Sequence, residues 1–178
     1  IAALHDAKSG VMLDLCAGTL DLTRMLIDVG ATHVHAADFS AAMLATGEAK
    51  LQEDEPYTIH CEDARSLPFE DASMDGIICG FGLRNVPDLP VALQECARVL
   101  RPGGRLVVLD FFQPVGFFPR VLQGSYNRII VPLVGGMLTG AGEAYRYLNE
   151  SIDAFQTPAD FVDMLNAVGI ESQAKIMF

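Results

Sequence analysis

The sequence predicts an α/β fold with a doubly wound, mostly parallel sheet. Short apolar runs alternate with helix-patterned stretches from residue 11 onward, the rhythm of βαβ units. Acids and small residues recur just after successive strands, where open parallel sheets bind their ligands. The 178 residues suit a single domain, 1–178, with one core.

Val11–Leu15 (VMLDL) reads as a buried strand. The small residues Cys16–Thr19 turn into a helix from Leu20 to Val29, with Gly30 as its stop. His33–Asp38 forms the second strand, and Ser40 caps a helix from Ala41 to Gln52. Tyr57–Glu62 is the third strand and Asp75–Gly80 the fourth. A helix over Pro90–Leu100 follows, then a Pro102-Gly103-Gly104 turn into a fifth strand, Arg105–Phe112. Residues 114–142 break the rhythm: they are apolar, Gly-rich and interrupted by Pro114, Pro119 and Pro132, as in short inserted helices. The pattern resumes with a helix over Pro158–Val168, a stop at Gly169 and a last strand, Glu171–Met177.

Composition narrows the chemistry. Twelve basic against 23 acidic residues give a formal charge of −11, with no basic stripe to displace the counterions of a nucleic acid. No run reaches the ~20 apolar residues of a membrane span, and no signal peptide is visible. Cys16, Cys61, Cys79 and Cys96 form no C-x-x-C pair and read as reduced thiols in a cytosol-like compartment. With His5, His33, His35 and His60 they make no zinc pattern, so no metal is expected. His33 and His35 share one strand face.

Three elements carry the chemistry. In Asp14-Leu-Cys-Ala-Gly-Thr-Leu-Asp21, Gly18 lets the backbone approach a nucleotide and the following helix offers free N–H groups. The dinucleotide fingerprint G-x-G-x-x-G is absent, which argues against an NAD-dependent reductase. Asp38, ending the second strand, is placed to accept both hydroxyls of an adenosine ribose, or else to cap the next helix. After the third strand come Glu62-Asp63-Ala64, with Asp71 and Asp75 further on. An acid and a backbone N–H at Asp63 and Ala64 read an adenine amino group and ring nitrogen; the alternative is a solvated acidic loop. Together these elements describe one adenosine clamp at the carboxyl ends of adjacent strands.

At this point the chain resembles the ubiquinone/menaquinone biosynthesis C-methyltransferases, the UbiE family. The likeness rests on Phe81-Gly-Leu-Arg-Asn-Val86, Arg98-Val-Leu-Arg-Pro-Gly-Gly-Arg-Leu-Val-Val-Leu-Asp-Phe111, Leu67-Pro-Phe69, Tyr145-Arg-Tyr-Leu-Asn-Glu-Ser-Ile152 and Asp14-Leu-Cys-Ala-Gly-Thr19. It implies a class I methyltransferase fold with strand order 3-2-1-4-5 and the last strands at the edge. It also implies S-adenosylmethionine (AdoMet) as methyl donor and a ring carbon of a prenylated quinol as acceptor. The cofactor contacts it implies are Thr19, Asp38, Asp63 and Ala64, beside Asp14, Gly18 and Gly80; the family often has serine at this last position. Leu20 stands where the family has glycine, and is expected to crowd the methionine end of the donor and to carry a strain of about 1 kcal/mol if its φ is positive.

Displacement at a sulfonium needs alignment and exclusion of water, and no metal. Ring-carbon attack needs an electron-rich ring, hence a phenolate. Arg84 is expected to stabilise that phenolate and Asn85 to orient the ring, the alternative for Arg84 being an ion pair with Asp88 or Asp110. Phe81, Tyr126 and Tyr145, with Asp110, are candidates for the acceptor pocket. The insert, 114–150, is expected either to receive a prenyl tail and touch a membrane surface, or to pack as a lid or homodimer face. The family's N-terminal helices and last antiparallel strand are expected to lie beyond the residues given. A diverged acceptor, or a silent AdoMet-binding subunit of a biosynthetic complex, are the competing readings.

Overall fold

The computed structural model describes residues 9–113, 147 and 150–175. The chain divides into two compact units, Ile1–Asp110 and Phe111–Phe178. The first holds a five-stranded parallel sheet: β1 (Val11–Leu15), β2 (His33–Asp38), β3 (Tyr57–Cys61), β4 (Met74–Gly80) and β5 (Leu100–Leu109), in the order β3-β2-β1-β4-β5. Three helices connect them: α1 (Asp21–Asp28), α2 (Ala41–Glu48) and α3 (Leu89–Val99). The order reverses at β1, and the crevice outside the carboxyl ends of β1 and β4 is where such sheets take ligands.

Alternation explains the packing. Val34 and Ala36 of β2 face one side of the sheet. Val34 joins Met12, Leu26, Ala31 and Ile78, while Ala36 joins Leu20 and Leu44. Ser40 caps α2 as the sequence predicts, its Oγ accepting the Met43 N–H at 3.4 Å. Gly30 stands at φ 95°, supplying the left-handed stop after α1.

Helix α2 ends at Glu48, four residues before the expected Gln52, and both ends of β5 differ from expectation. Pro102-Gly103-Gly104 lies inside β5, because Leu100 already pairs with Met74 and the register jumps to Gly76–Arg105. The strand also ends at Leu109, three residues early, as Asp110 turns to bond Arg84.

The second unit contains α4 (Pro158–Ala167), capped by Thr157, whose Oγ1 accepts the Asp160 N–H at 3.2 Å. Gly169, at φ 85°, ends it. Phe112, Phe155 and Phe161 form a ring cluster with centroids 5.2–5.9 Å apart. The expected strand Glu171–Met177 is not formed over 171–175. A strand needs a neighbour to take its backbone hydrogen bonds, and these residues pair with none among the described ones. The expected insert falls almost wholly outside the described residues.

On the other face of β2 and β3 the histidines gather. The His35 Nδ1 and His60 Nε2 atoms are 3.0 Å apart, the Phe69 ring lies 5.0 and 4.9 Å from the two imidazoles, and His33 Nε2 is 3.0 Å from Thr58 Oγ1. Burial and the neighbouring imidazoles push His35 down from 6.5 to about 4, so it is neutral in the fold. The unfolded chain therefore binds more protons over that window, and stability contributed by His35 is lost as pH falls from 6.5 towards 4. His35→Phe removes this loss. In urea titrations across that range the wild type should lose stability relative to the variant; parallel pH profiles would refute the assignment.

Candidate active site

The site forms where β1, β2, β3 and β4 end. Asp38, 7% exposed, spends both carboxylate oxygens on backbone: Oδ2 accepts the Gly18 N–H at 2.9 Å and Oδ1 the Ser40 N–H at 2.8 Å. It thus caps the approach to α2 and also ties the first turn to β2. The Ala17 N–H donates to the Ala37 carbonyl at 3.0 Å and doubles the tie. Each carboxylate oxygen retains a lone pair for a ligand hydroxyl.

Asp14 is fully buried. Its Oδ2 accepts the Thr23 hydroxyl at 2.7 Å, whereas Oδ1 has no partner among the described residues. Burial raises its pKa to about 7 against the opposing pull of Thr23. A buried acceptor left open next to a glycine turn fits a ligand that brings a donor or a cation. Gly18, at φ 53°, supplies the close backbone approach, with Met43 Cε only 3.0 Å from where a Cβ would stand.

Leu20 resolves differently from expectation. Its φ is 62°, so the strain is present, but its side chain is 1% exposed and packs with Ala36 and Leu44. It points into the core rather than into the open crevice. Burial of one leucine contributes about 2 kcal/mol, which offsets a left-handed residue at about 1–2 kcal/mol. The room comes from Gly47 of α2: a Cβ there would stand 2.5 Å from Leu20 Cγ and from the Thr19 carbonyl carbon. The Thr19 hydroxyl donates to Asp21 Oδ2 at 2.7 Å and its carbonyl accepts Lys50 Nζ at 3.1 Å, so both groups serve the helix start.

Asp63 is forked by Arg65, whose Nη2 and Nε lie 2.7 and 3.1 Å from Oδ2, and its pKa falls to about 2. It is an anion, with its side chain 46% exposed. Ala64 is buried beside it, its N–H bonded to no group among the described residues. Sequence reasoning missed what holds this loop. Arg98 donates to the Leu67 and Phe69 carbonyls at 3.0 and 2.7 Å and pairs with Glu95 and Asp71, while Glu95 accepts the Leu67 N–H at 2.8 Å. The i, i+3 spacing of Glu95 and Arg98 was the available signal. Asp71 and Asp75 are structural: Asp75 accepts the Val11 N–H at 2.7 Å and pairs with Arg101. Phe39 was also missed. It follows Asp38 with its ring 79% exposed, a free face for a purine.

The β4 end supplies the other half. A Cβ on Gly80 would stand 2.8 Å from Leu22 Cδ1, so a serine there would require the end of the Leu22 side chain to shift. Phe81, at φ 60° and 44% exposed, donates its N–H to the Leu109 carbonyl at 2.7 Å. Its own carbonyl accepts Arg84 Nη1 at 2.6 Å and Asn85 Nδ2 at 3.5 Å. Of the two acids open to Arg84, Asp110 is the partner. Nη1 lies 2.7 Å from Oδ1 and the Arg84 N–H 3.2 Å from Oδ2, with side chains 11% and 0% exposed. Asp88 pairs with Arg65 instead. Asn85 is exposed. Tyr126 and Tyr145 lie outside the described residues. Among the described residues no group of three His, Cys, Asp or Glu could hold a metal.

The sheet order and the residues at its strand ends fit an AdoMet-dependent methyltransferase, the class that the family match establishes. The chain belongs to the ubiE/COQ5 methyltransferase family, whose sequence profile matches residues 2–176. It is 40% identical to the demethylmenaquinone methyltransferase of Thermus thermophilus over 98% of this chain and 80% of that protein. It is 38% identical to the 2-phytyl-1,4-naphtoquinone methyltransferase of Nostoc punctiforme, over 92% and 73%. Among solved structures, the YcgJ protein of Bacillus subtilis shares the fold at TM-score 0.69 and 23% identity, covering 94% of this chain and 65% of that one. Phosphoethanolamine N-methyltransferase 2 of Haemonchus contortus, solved with S-adenosyl-L-methionine, aligns at TM-score 0.67 and 18% identity, over 90% and 33%.

Asp110→Asn removes the charge of a buried ion pair that Arg84 makes at 2.7 Å and should lower stability by about 1–3 kcal/mol. Chemical denaturation of this variant against Arg84→Met/Asp110→Leu checks it: the double variant should recover most of the loss.

Proposed function

We propose that this protein transfers a methyl group from AdoMet to a ring carbon of a prenylated 1,4-quinol. The observation that carries the reading is the contact between two segments. Gly82, in the Phe81–Asn85 turn, is pressed against Cys16 of the first turn, where a Gly82 Cβ would stand 2.2 Å from Cys16 Cβ. An acceptor on the former therefore lies next to a donor on the latter, as in-line transfer requires. The names of the Thermus and Nostoc relatives support a quinone-type acceptor.

AdoMet supplies the electrophilic methyl. Gly18 admits its backbone approach, Asp38 takes the ribose hydroxyls, Asp63 and the Ala64 N–H read the adenine, and Phe39 stacks on it. Asp14 holds the α-ammonium group, and the Gly80 backbone and Thr19 line the donor's methionine end. Arg84, anchored by Asp110, stabilises the phenolate as charge develops, Asn85 orients the ring and Phe81 packs against it. Tyr126 and Tyr145 are proposed to line the pocket. The apolar run 114–142 is proposed to take the prenyl tail and meet the membrane periphery. No helix among the described residues is long and apolar enough to cross a membrane.

The direct test is incubation with AdoMet and a pre-reduced short-prenyl naphthoquinol, followed by mass spectrometry. The product should carry one methyl in place of a ring hydrogen; unaltered quinol would refute the reading. Arg84→Lys keeps the positive charge but loses the planar guanidinium. It should lower turnover at least about tenfold while calorimetry shows AdoMet binding intact.

Asp14 adds a pH dependence. Its carboxyl is protonated below about 7, and only the anion pairs with an ammonium, so AdoMet affinity should rise with pH through that value. Asp14→Asn should flatten the profile and weaken binding at alkaline pH by roughly ten- to hundredfold, the worth of a charged hydrogen bond. Calorimetry across the range decides it.

A further inference from the structure

Three of the four cysteines meet beneath the first turn, and methyl transfer uses none of them. Cys79 of β4 and Cys96 of α3 are fully buried. Asp14 stands opposite Ile78, so Cys16, just past β1, and Cys79 are diagonal neighbours across the two strands. Strand spacing and rise put their Cα atoms about 6 Å apart, inside the span of a disulfide. Cys16 has φ 56°, which takes its side chain out of the strand alternation. The Cys16 and Cys79 sulfurs lie 2.8 and 3.2 Å from the point a Gly82 Cβ would occupy, so both thiols border the same small space.

The two thiols differ in access. Cys16 is partly exposed and touches the turn that carries Phe81, Arg84 and Asn85. Cys79 sits behind it, and the neighbouring Cys16 thiol and burial hold its own thiol well above the ordinary range. Cys61 is exposed and at the end of β3, on the far side of β2 from this pair.

We propose that Cys16 and Cys79 form a redox dithiol that a 1,4-quinone at the Phe81–Asn85 turn oxidises to a disulfide, the quinone leaving as the quinol that ring methylation needs. The proposal rests on the quinol reading of the acceptor. The Cys16 sulfur bonds to a ring carbon, and the ring takes the electron pair onto an oxygen. The Cys79 sulfur then attacks the Cys16 sulfur; the carbon–sulfur bond breaks, its pair passes to the ring, and the sulfur–sulfur bond forms. The two thiol protons finish on the two quinol oxygens. Two thiols and one quinone give one disulfide and one quinol.

The test uses the full chain, reduced and then freed of reductant under anaerobic conditions, with a short-prenyl 1,4-naphthoquinone. Quinol absorbance should rise to one equivalent per chain, and peptide mapping should find Cys16 linked to Cys79. Cys79→Ala and Cys16→Ala should each lower quinol yield at least tenfold. The wild-type map needs no variant to fold. Quinone recovered unreduced with both thiols still alkylatable, a stable Cys16–quinone adduct, or a disulfide through Cys61 would each overturn the proposal. A parallel arm offers pre-reduced naphthoquinol and AdoMet. Methylation there without disulfide formation in the first arm sinks the dithiol alone; disulfide formation without methylation sinks the acceptor reading alone.

Discussion

The carboxylate of Asp38 is the bond on which the site depends. It is one side chain accepting two backbone N–H groups, one from the turn after β1 and one from the start of α2. Those groups, on Gly18 and Ser40, are 22 residues apart in sequence, and a parallel β1–β2 pair brings them together. The sheet therefore builds the turn, and the turn, once tied, leaves Asp14 with one oxygen inside the protein that has no partner among the described residues. Placement of the remaining groups follows from the strand order: the ends of β3 and β4 flank the same crevice and contribute Asp63, Ala64, Gly80 and Phe81.

The fold was legible because hydrophobic period and punctuation agree. VMLDL, HVHAAD and DGIICG all became strands, Ser40 became the cap of α2, and Gly30 and Gly169 became left-handed stops. Much of the site was legible as position but less of it as partnership. The acids at 14, 38 and 63 stand where spacing put them. That Arg65 would fork Asp63, or that Asp110 and not Asp88 would take Arg84, depends on loop paths that a one-dimensional pattern does not carry. Leu20 is the sharpest case. Its identity suggested obstruction, but the sign of a backbone angle decides which side of the turn a side chain occupies, and at φ 62° the leucine enters the core. The last strand is not formed over 171–175 for a related reason: those residues have no pairing partner among the described ones, and β-propensity alone makes no strand.

Three of the five non-glycine residues at positive φ among the described residues lie at this crevice. Cys16, Leu20 and Phe81 all hold left-handed backbone within the two segments that bracket it. Each is fixed by its surroundings. Cys16 is held against Gly82 and Cys79, Leu20 is buried against α2, and Phe81 is bonded through its N–H to Leu109 and through its carbonyl to Arg84. Strained residues persist where the surrounding structure over-determines them. Here the over-determination comes from contacts in β4, β5 and α2, so the ends of the strands are stiffened from outside the crevice.

The fit of Leu20 into Gly47 makes the two positions historically interdependent. While a leucine occupies residue 20, α2 can accept no β-carbon at residue 47, because the neighbouring atoms there include main chain that has nowhere to go. Restoring glycine at residue 20 would lift part of that veto but open a void between α2 and β2. A lineage that acquired the leucine is thus channelled: later change at either site must pass through its counterpart, and sequences drifting at one without the other drop out of the folded population.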